Sequence, residues 1–551
     1  MSHTESDSQA FQIQADFMAD LHTLSDKYYV RYPWLREQES GLRTIARSAE
    51  QPFSVAVCGY MKAGKSSLIN ALIAQPLTIT GTTEATATIN MIAYDPHRKD
   101  TFIAHWNDRE PEELPLPRLQ LWAGGQEIEE RVRSTHHLTL HTDSEDLDRA
   151  HARIIDTPGF GSVVQAHQEV VDSFFDPREP LAHAMVLVLG PSYKGSSQNA
   201  IQEFRKSSPP GTGPYNTVGV LHKWDHIYVE SRGDWSMVQS HVDQWKTYLH
   251  EDLCDVIPVS APVALVARIG QDDWLEALLA LLSGMDDATF DAAIKSDRRW
   301  CSDPQREHVW QMVPTQLGME RDKVFPWASF AMSALHLYLR KPADAAEARR
   351  LLTDLGGLER LKNFLDERFY RRAAYIRRNQ MSRQAQLVID SATRAMEERK
   401  RNLTADLIRW NALVSHARTE ADLAAWVERR LAEAQEEQQD LQQMAVSIDR
   451  FTRTVQKTWD QDLVSTLDTD TLAAWFGLTG QEAELLGRVV RVREQDGRPI
   501  VSPGEFDLPL LLACYNTIAR SRNDNPNKEQ EKAAEFLSRK LIGIVQSLNP
   551  A

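Results

Sequence analysis

Val55-Ala56-Val57-Cys58-Gly59-Tyr60-Met61-Lys62-Ala63-Gly64-Lys65-Ser66-Ser67-Leu68-Ile69-Asn70-Ala71-Leu72-Ile73 decides how this chain is read. It opens as a short apolar strand, passes through a glycine-bounded loop and closes as an apolar-periodic helix. The loop fits the phosphate-binding pattern G-x-x-x-x-G-K-[ST] in the strand, loop and helix setting that the pattern requires. Gly59 and Gly64 let the backbone curl so that successive N–H groups face inward. The helix behind them begins with unsatisfied N–H groups and a positive dipole end. In that frame Tyr60, Met61, Lys62 and Ala63 form the loop and Lys65 reaches the β- and γ-phosphates of a nucleotide. The Ser66 hydroxyl ligates Mg²⁺, and Ser67 completes the cradle. A plain glycine turn before a core helix would not explain why strand, lysine, serine and helix coincide.

Four further segments line up downstream. Leu77–Thr88 is rich in threonine and leads into an apolar strand near Thr88–Tyr94. A hydroxyl in such a loop can reach Mg²⁺ and a γ-phosphate. Thr86 and Thr83 compete for that role, with Thr86 favoured because it sits at the mouth of the strand. Arg153–Phe160 is an apolar strand ending in Asp156-Thr157-Pro158-Gly159. Asp156 is placed to hold Mg²⁺ through water, and the Gly159 N–H to sense the γ-phosphate. Thr217–Leu221 is an apolar run that delivers His222-Lys223-Trp224-Asp225, close to the guanine-reading pattern [NT]-K-x-D. A carboxylate at Asp225 can accept two N–H bonds from guanine, a pair that adenine lacks, and such a site can reject the wrong base by powers of ten. Lys223 would lay its stem along the base. His222 stands where Asn or Thr is usual. Asp255–Val259 reads as a last strand ending in Ser260-Ala261, where a base-contacting Ser-Ala pair should fall. Short strands are also expected at Phe102–Trp106, Leu119–Trp122 and His137–His141.

These segments, over roughly residues 50–261, resemble the GTPase domains of the dynamin superfamily, specifically bacterial dynamin-like proteins. A helical stretch precedes the phosphate loop. Phe160 stands just past D-T-P-G, where Ras-like proteins place a water-orienting glutamine. A long helical region follows, and Gly356-Gly357-Leu358-Glu359-Arg360-Leu361 is similar to the closing helix of such domains. The resemblance implies an α/β P-loop GTPase domain, a mostly parallel sheet with helices on both faces, joined to an elongated all-α bundle or stalk. It implies GTP as substrate with Mg²⁺, a slow basal rate, and self-association through GTPase domains and stalk. A partner dynamin-like protein and action at a membrane are further implications. Lys62 occupies the loop position where relatives hold a catalytic monovalent cation or an arginine finger. It is therefore a candidate to supply positive charge in cis. The competing readings are a GTP-switched module whose arm engages a protein or ribosomal partner, and an ATPase with a degenerate base motif.

The 551-residue chain carries a net charge of −16, which argues against broad nucleic-acid binding. Its four cysteines, Cys58, Cys254, Cys301 and Cys514, are far apart and read as reduced structural thiols of a cytoplasmic protein. The first nine residues have neither the basic start nor the apolar core of a secretory signal, and no apolar run is long enough to span a bilayer. Localisation is expected in the cytoplasm or peripheral to the inner face of the cell membrane.

Domain limits are expected at 1–50 for an N-terminal helical segment, broken at Pro33, and 51–370 for the GTPase domain with a helical insertion near 262–354. Residues 371–551 complete the chain as the stalk. Trp300, Cys301 and the Phe325–Leu335 stretch have no functional reading. Apolar residues recur at heptad spacing from Ala385 to Val414 and from Leu423 to Val455, with a break near 416–419 and an antiparallel return. Helices are expected near 507–522 and 528–548, and a hairpin turn at Gln495-Asp496-Gly497. The far end, 470–500, holds Trp475 and Phe476 beside arginines, an expected lipid contact.

Overall fold

The computed structural model describes residues 22–48, 51–60, 62–75, 88–122, 134–157, 182–191, 216–250, 252–317, 325–416, 421–465, 469–492, 494–495, 498–499, 501–502, 504–521 and 528–548. Met61, Thr83, Thr86 and Gly159 lie outside the described residues, as does the turn at 496–497. The chain divides into two units.

The unit of residues 52–176 and 180–373 is built on a sheet. Among the described residues it has nine strands: β1 (Phe53–Gly59), β2 (Asn90–Tyr94), β3 (Thr101–Trp106), β4 (Glu112–Pro115), β5 (Thr135–Thr142), β6 (Ala152–Asp156), β7 (Ala184–Leu189), β8 (Thr217–Leu221) and β9 (Val256–Pro258). They lie in the order β4-β3-β5-β2-β6-β1-β7-β8-β9. The block β6-β1-β7-β8-β9 is parallel throughout. Every position of β1, β7, β8 and β9 is buried. That is the signature of parallel strands covered on both faces, and it explains their unbroken apolar runs. β2 runs against β6, and β3 runs against both β5 and β4.

The register brings the functional segments to one edge. Val57 lies opposite Asp156, Gly59 opposite Val188, Leu189 opposite Leu221, and Leu221 opposite Pro258. The carboxyl ends of β1, β6, β8 and β9 therefore open onto one crevice, which is where open α/β sheets bind ligands.

The strand expected at Leu119–Trp122 is instead part of a 3-10 segment, Leu116–Trp122. Pro117 has no N–H to give a ladder. The added edge strand is β4, whose Glu112-Glu113 start hides it in a polar stretch, as suits an edge.

The expected insertion is helical and part of the same body. Its helices include Ala261–Ile269, Asp272–Ser283, Pro304–Leu317, Trp327–Arg340 and Ala345–Gly356. Trp274, Trp300, Trp310, Phe325 and Phe330 are fully buried in one core with the residues of the sheet. Trp300 meets Phe330 at 5.1 Å between ring centres, and Trp310 meets Trp327 at the same distance. Trp300 therefore has a packing role.

The second unit joins residues before Pro52 to those from Ala374 onward. Two long helices, Ala373–His416 and Ala421–Ser465, contain 44 and 45 residues, about 65 Å each at 1.5 Å per residue. They are antiparallel. Arg399 pairs with Glu437, and further along Trp410 meets Trp426. Ala385, Ile389, Ala392, Met396 and Leu403 bury together with Ala434, Leu441, Met444, Ile448 and Phe451. The described residues of the N-terminal segment pack with the long helices. The chain passes Pro33 in a 3-10 turn and enters the helix Arg36–Ser48. Leu24, Leu35, Leu42 and Ile45 join the same core, while Arg31 pairs with Glu436 and Asp440.

The C-terminal helices Leu508–Ser521 and Lys528–Leu548 have their own core with Thr469–Phe476 and Gly480–Arg491. Phe476 is buried in that core and Trp475 packs on it. The aromatics expected at a lipid surface are thus engaged in packing. The large apolar side chains that this unit exposes include Ile408, Leu413, Leu423 and Trp426, at the adjoining ends of the long helices. Among the described residues no helix is long and apolar enough to cross a membrane.

Candidate nucleotide site

The phosphate loop has the backbone its sequence demands. Gly59 has φ 152° and Gly64 φ 101°. A Cβ on Gly59 would stand 2.7 Å from the Val188 carbonyl oxygen, so the loop leaves β1 in close contact with β7. Lys62 is left-handed at φ 60°, an uncommon conformation for a side chain of its size. The helix Lys65–Ile73 starts at Gly64, so its first turn follows the carboxyl end of β1 directly.

Lys65 is buried and donates to the carbonyls of Gly59 and Tyr60, both at 3.2 Å. Burial lowers its pKa, and the nearby Asp156 carboxylate opposes that. The ammonium therefore sits inside the loop it serves. Ser66 Oγ donates to Asp156 Oδ2 at 3.4 Å. Asp156 is fully buried, and Thr157 Oγ1 donates to the Val57 carbonyl at 3.0 Å, tying the end of β6 to β1.

A hydroxyl and a carboxylate side by side are hard oxygen donors suited to Mg²⁺. Among the described residues no cluster of three or more His, Cys, Asp or Glu side chains could cage a metal. Burial pushes the Cys58 thiol up to about 12.

The base segment crosses over to the phosphate loop. Lys223 is left-handed at φ 59°, and its Nζ donates to the Lys62 carbonyl. His222 lies 3% exposed against Gly64, where a Cβ would stand 2.5 Å from the ring atoms Cε1 and Nδ1. Burial and the neighbouring Lys223 charge lower the His222 pKa to about 4, so the ring is neutral. The residue that breaks the sequence pattern thus fills the space beneath the phosphate loop as a flat, uncharged wedge.

Asp225 is buried, and Ser260 Oγ donates to its Oδ1 at 2.5 Å. Burial raises the Asp225 pKa, while the bonds from Ser260 and its other donors oppose the rise. The Ser260 N–H donates to the Gly356 carbonyl at 3.0 Å. Gly357 is left-handed at φ 69°, and a Cβ there would meet the Pro258 carbonyl at 2.3 Å. The Gly-Gly pair therefore lets the closing helix abut the base loop. Ala261 is buried as the first residue of the helix that follows.

The structure thus brings together Gly59, Lys62, Gly64, Lys65, Ser66, Asp156, His222, Lys223, Asp225 and Ser260. Tyr60, Ala63 and Ser67 lie in or beside the loop, half-buried. The sequence reading missed Thr157, visible only as part of D-T-P-G, and Gly356 as a support of Ser260.

Residues 55–224 match the family model of the dynamin family. The isoniazid-induced protein IniC of Mycobacterium tuberculosis is 26% identical over 267 residues, 47% of this chain and 52% of that protein. An uncharacterised protein in the xynA 3′ region of Caldicellulosiruptor sp. is 32% identical over 139 residues, 25% of this chain and 32% of that one. The chain spans about half the length, or less, of these relatives. Among solved structures, one of an oligomerised bacterial dynamin pair aligns over 99% of this chain and 80% of that one, at 13% identity and a TM-score of 0.34. A GTP-binding protein from Sulfolobus solfataricus in complex with GDP aligns over 46% and 61%, at 17% identity and a TM-score of 0.20.

Proposed function

We propose, for a chain that belongs to the dynamin family through its residues 55–224, that the sheet-bearing unit binds GTP with Mg²⁺ and hydrolyses it slowly to GDP and phosphate. The observation that carries this reading is the meeting of two loops: Lys223 bonds the Lys62 carbonyl and His222 lies against Gly64. Phosphate recognition and base recognition are thereby built as one pocket. The N–H groups of residues 59–66 and the Lys65 ammonium hold the phosphates. Asp225, with Ser260 and Ala261 at its side, selects guanine. Bound Mg²⁺ at Ser66 and Asp156 would neutralise charge on the β- and γ-phosphates. Thr86 or Thr83, and the Gly159 N–H, complete the reading at the γ-phosphate.

Lys62 supplies positive charge in cis. Its exposed side chain rises from a left-handed backbone whose carbonyl Lys223 holds. Turnover should then be similar in potassium, sodium and choline buffers, and Lys62→Ser should make it slower or potassium-dependent. A strongly potassium-dependent wild type would overturn that role.

The family points to pairing of two GTPase units across the nucleotide, self-association through the helical unit, a partner dynamin-like protein, and work at a membrane surface from the cytoplasmic side. The surface that supports lipid contact is the exposed Ile408, Leu413, Leu423 and Trp426 with Arg409, Arg429 and Arg430 around them. Aromatic and aliphatic groups among arginines suit anionic headgroups. The reading is tested by phosphate release from GTP and ATP, with Lys65→Ala as control, and by co-sedimentation with anionic liposomes. Wild type should release phosphate from GTP alone and Lys65→Ala from neither. Trp426→Glu should weaken sedimentation, whereas equal sedimentation of both would remove the lipid surface from the account.

A further inference from the structure

Arg268 lies in the helical stretch after Ser260-Ala261 and belongs to no nucleotide-binding pattern. We infer that it is a positioning residue of the nucleotide site, holding the helix Lys65–Ile73 by the end far from the phosphate loop. The inference rests on the reading of residues 59–66 as the phosphate cradle.

The contacts are direct. Arg268 sits in the last turn of the helix Ala261–Ile269, and one terminal nitrogen of its guanidinium donates to the carbonyls of Leu72 at 3.3 Å and Ala71 at 3.5 Å. Those carbonyls belong to the last turn of the helix Lys65–Ile73, from which the chain leaves through Ala74 at φ 54°. The second terminal nitrogen faces Asp146 Oδ2 at 3.9 Å. The same carboxylate takes Lys362 of the closing helix and, at 2.6 Å, Arg149. The guanidinium is thus held between a helix end and an anion from the short helix Glu145–Arg149, which precedes β6. Its own helix is fixed as well. Residues Ala261–Ala267 are all buried, and Arg349 donates to the carbonyls of Ala267 at 2.6 Å and Gly270 at 2.8 Å.

A helix of nine residues is too short to hold its place alone, yet backbone donors recognise a phosphate only when set within about half an ångström. β1 fixes the loop from one side. Arg268 fixes it from the other, through the helix, and its charge meets the negative end of the helix dipole. The start of the Arg268 helix carries the base site: Ser260, its N-cap, donates to Asp225. One element of nine residues, about 13 Å long, therefore has the base selector at one end and the anchor of the phosphate-loop helix at the other. Because Arg268 acts on the phosphate side, its loss should weaken every nucleotide alike and leave base preference untouched.

The test is competition of GTP, GDP and ATP against a fluorescent GTP analogue on the full chain, with steady-state GTP hydrolysis alongside. Arg268→Met should weaken all three nucleotides by a similar factor, about three- to fivefold, the scale of a cation at a helix C-terminus. The GTP-to-ATP ratio should hold, and the loss should fall on KM more than on kcat. Arg268→Lys, which keeps the charge, should restore most of the affinity, and Arg268→Glu should lose more than Arg268→Met. Asp146→Asn, which releases the guanidinium on its other side, should weaken the three nucleotides in the same direction and by less. If Arg268→Met and Arg268→Glu lower thermal stability but leave the affinities at wild-type values, Arg268 only stabilises the fold and the inference fails. It fails too if the GTP-to-ATP ratio falls, since the residue would then act on the base, as Ser260→Ala is expected to do. A wild type that binds none of the three would instead remove the phosphate-cradle reading, and this role with it.

Discussion

His222 is where the chain departs from the guanine-reading pattern, and the structure gives the departure a physical sense. Its ring is in contact range of the position where any side chain on Gly64 would begin. Gly64 also holds φ 101°, a conformation L side chains rarely adopt. Gly64→Ala should therefore weaken GTP binding by about a hundredfold or more, measured by calorimetry, while the fold survives by circular dichroism. Near-normal binding would mean that the loop and the ring part when nucleotide enters. A pH effect follows from the same burial. His222 and His336 are held near pKa 4 and His137 near 3, all chiefly by burial, against the ordinary 6.5. These groups are neutral in the fold and charge on unfolding. Their contribution is fully present above pH 6.5 and is lost as pH falls toward 4. Each adds a slope of up to about 1.4 kcal/mol per pH unit across that window. Denaturant titrations of the chain between pH 7 and 4.5 should show stability falling with acid, and a flat profile would contradict the buried neutral state.

At the scale of elements, the two periodicities of the chain were legible for different reasons. β1, β7 and β8 are buried on both faces, so their sequences are uninterrupted apolar runs that end in loop chemistry. The long helices carry a seam from Ala385 to Phe451 without Gly or Pro, and the expected break near 416–419 lies, apart from His416, outside the described residues, between two helices that run antiparallel. What escaped was set by partners far along the chain. β4 is polar and short, so its strand character comes from pairing with β3 and hardly from its own residues. Trp475 and Phe476 have a composition that suits a membrane anchor as well as a core, and their packing with the helices Gly480–Arg491, Leu508–Ser521 and Lys528–Leu548 depends on residues far along the chain. In the arm, Met444 is fully buried between the long helices. Met444→Ala should cost about 2–5 kcal/mol in chemical denaturation of the helical unit. A cost below about 1 kcal/mol would show that the seam is loosely packed.

At the scale of the whole molecule, the chain has two units with separate cores. Among the described residues, four sequence segments spread over some two hundred residues, the phosphate loop, Asp156, His222–Asp225 and Ser260-Ala261, converge on one edge of one sheet, because the parallel strands of the block deliver their carboxyl ends there. That convergence was readable from order and spacing. The part played by the helices after Ala261 was not, since Gly356 touches the base loop only through the fold. The central claim is that this pocket takes a guanine nucleotide because Asp225 selects the base. It is tested most directly by measuring the affinities of GTP, ATP and XTP, with magnesium, for the wild-type chain and for Asp225→Asn. The account predicts that wild type prefers GTP over ATP by about a thousandfold or more, and that Asp225→Asn transfers the preference to XTP. Equal affinity for GTP and ATP in the wild type, or no shift toward XTP in the variant, would contradict it.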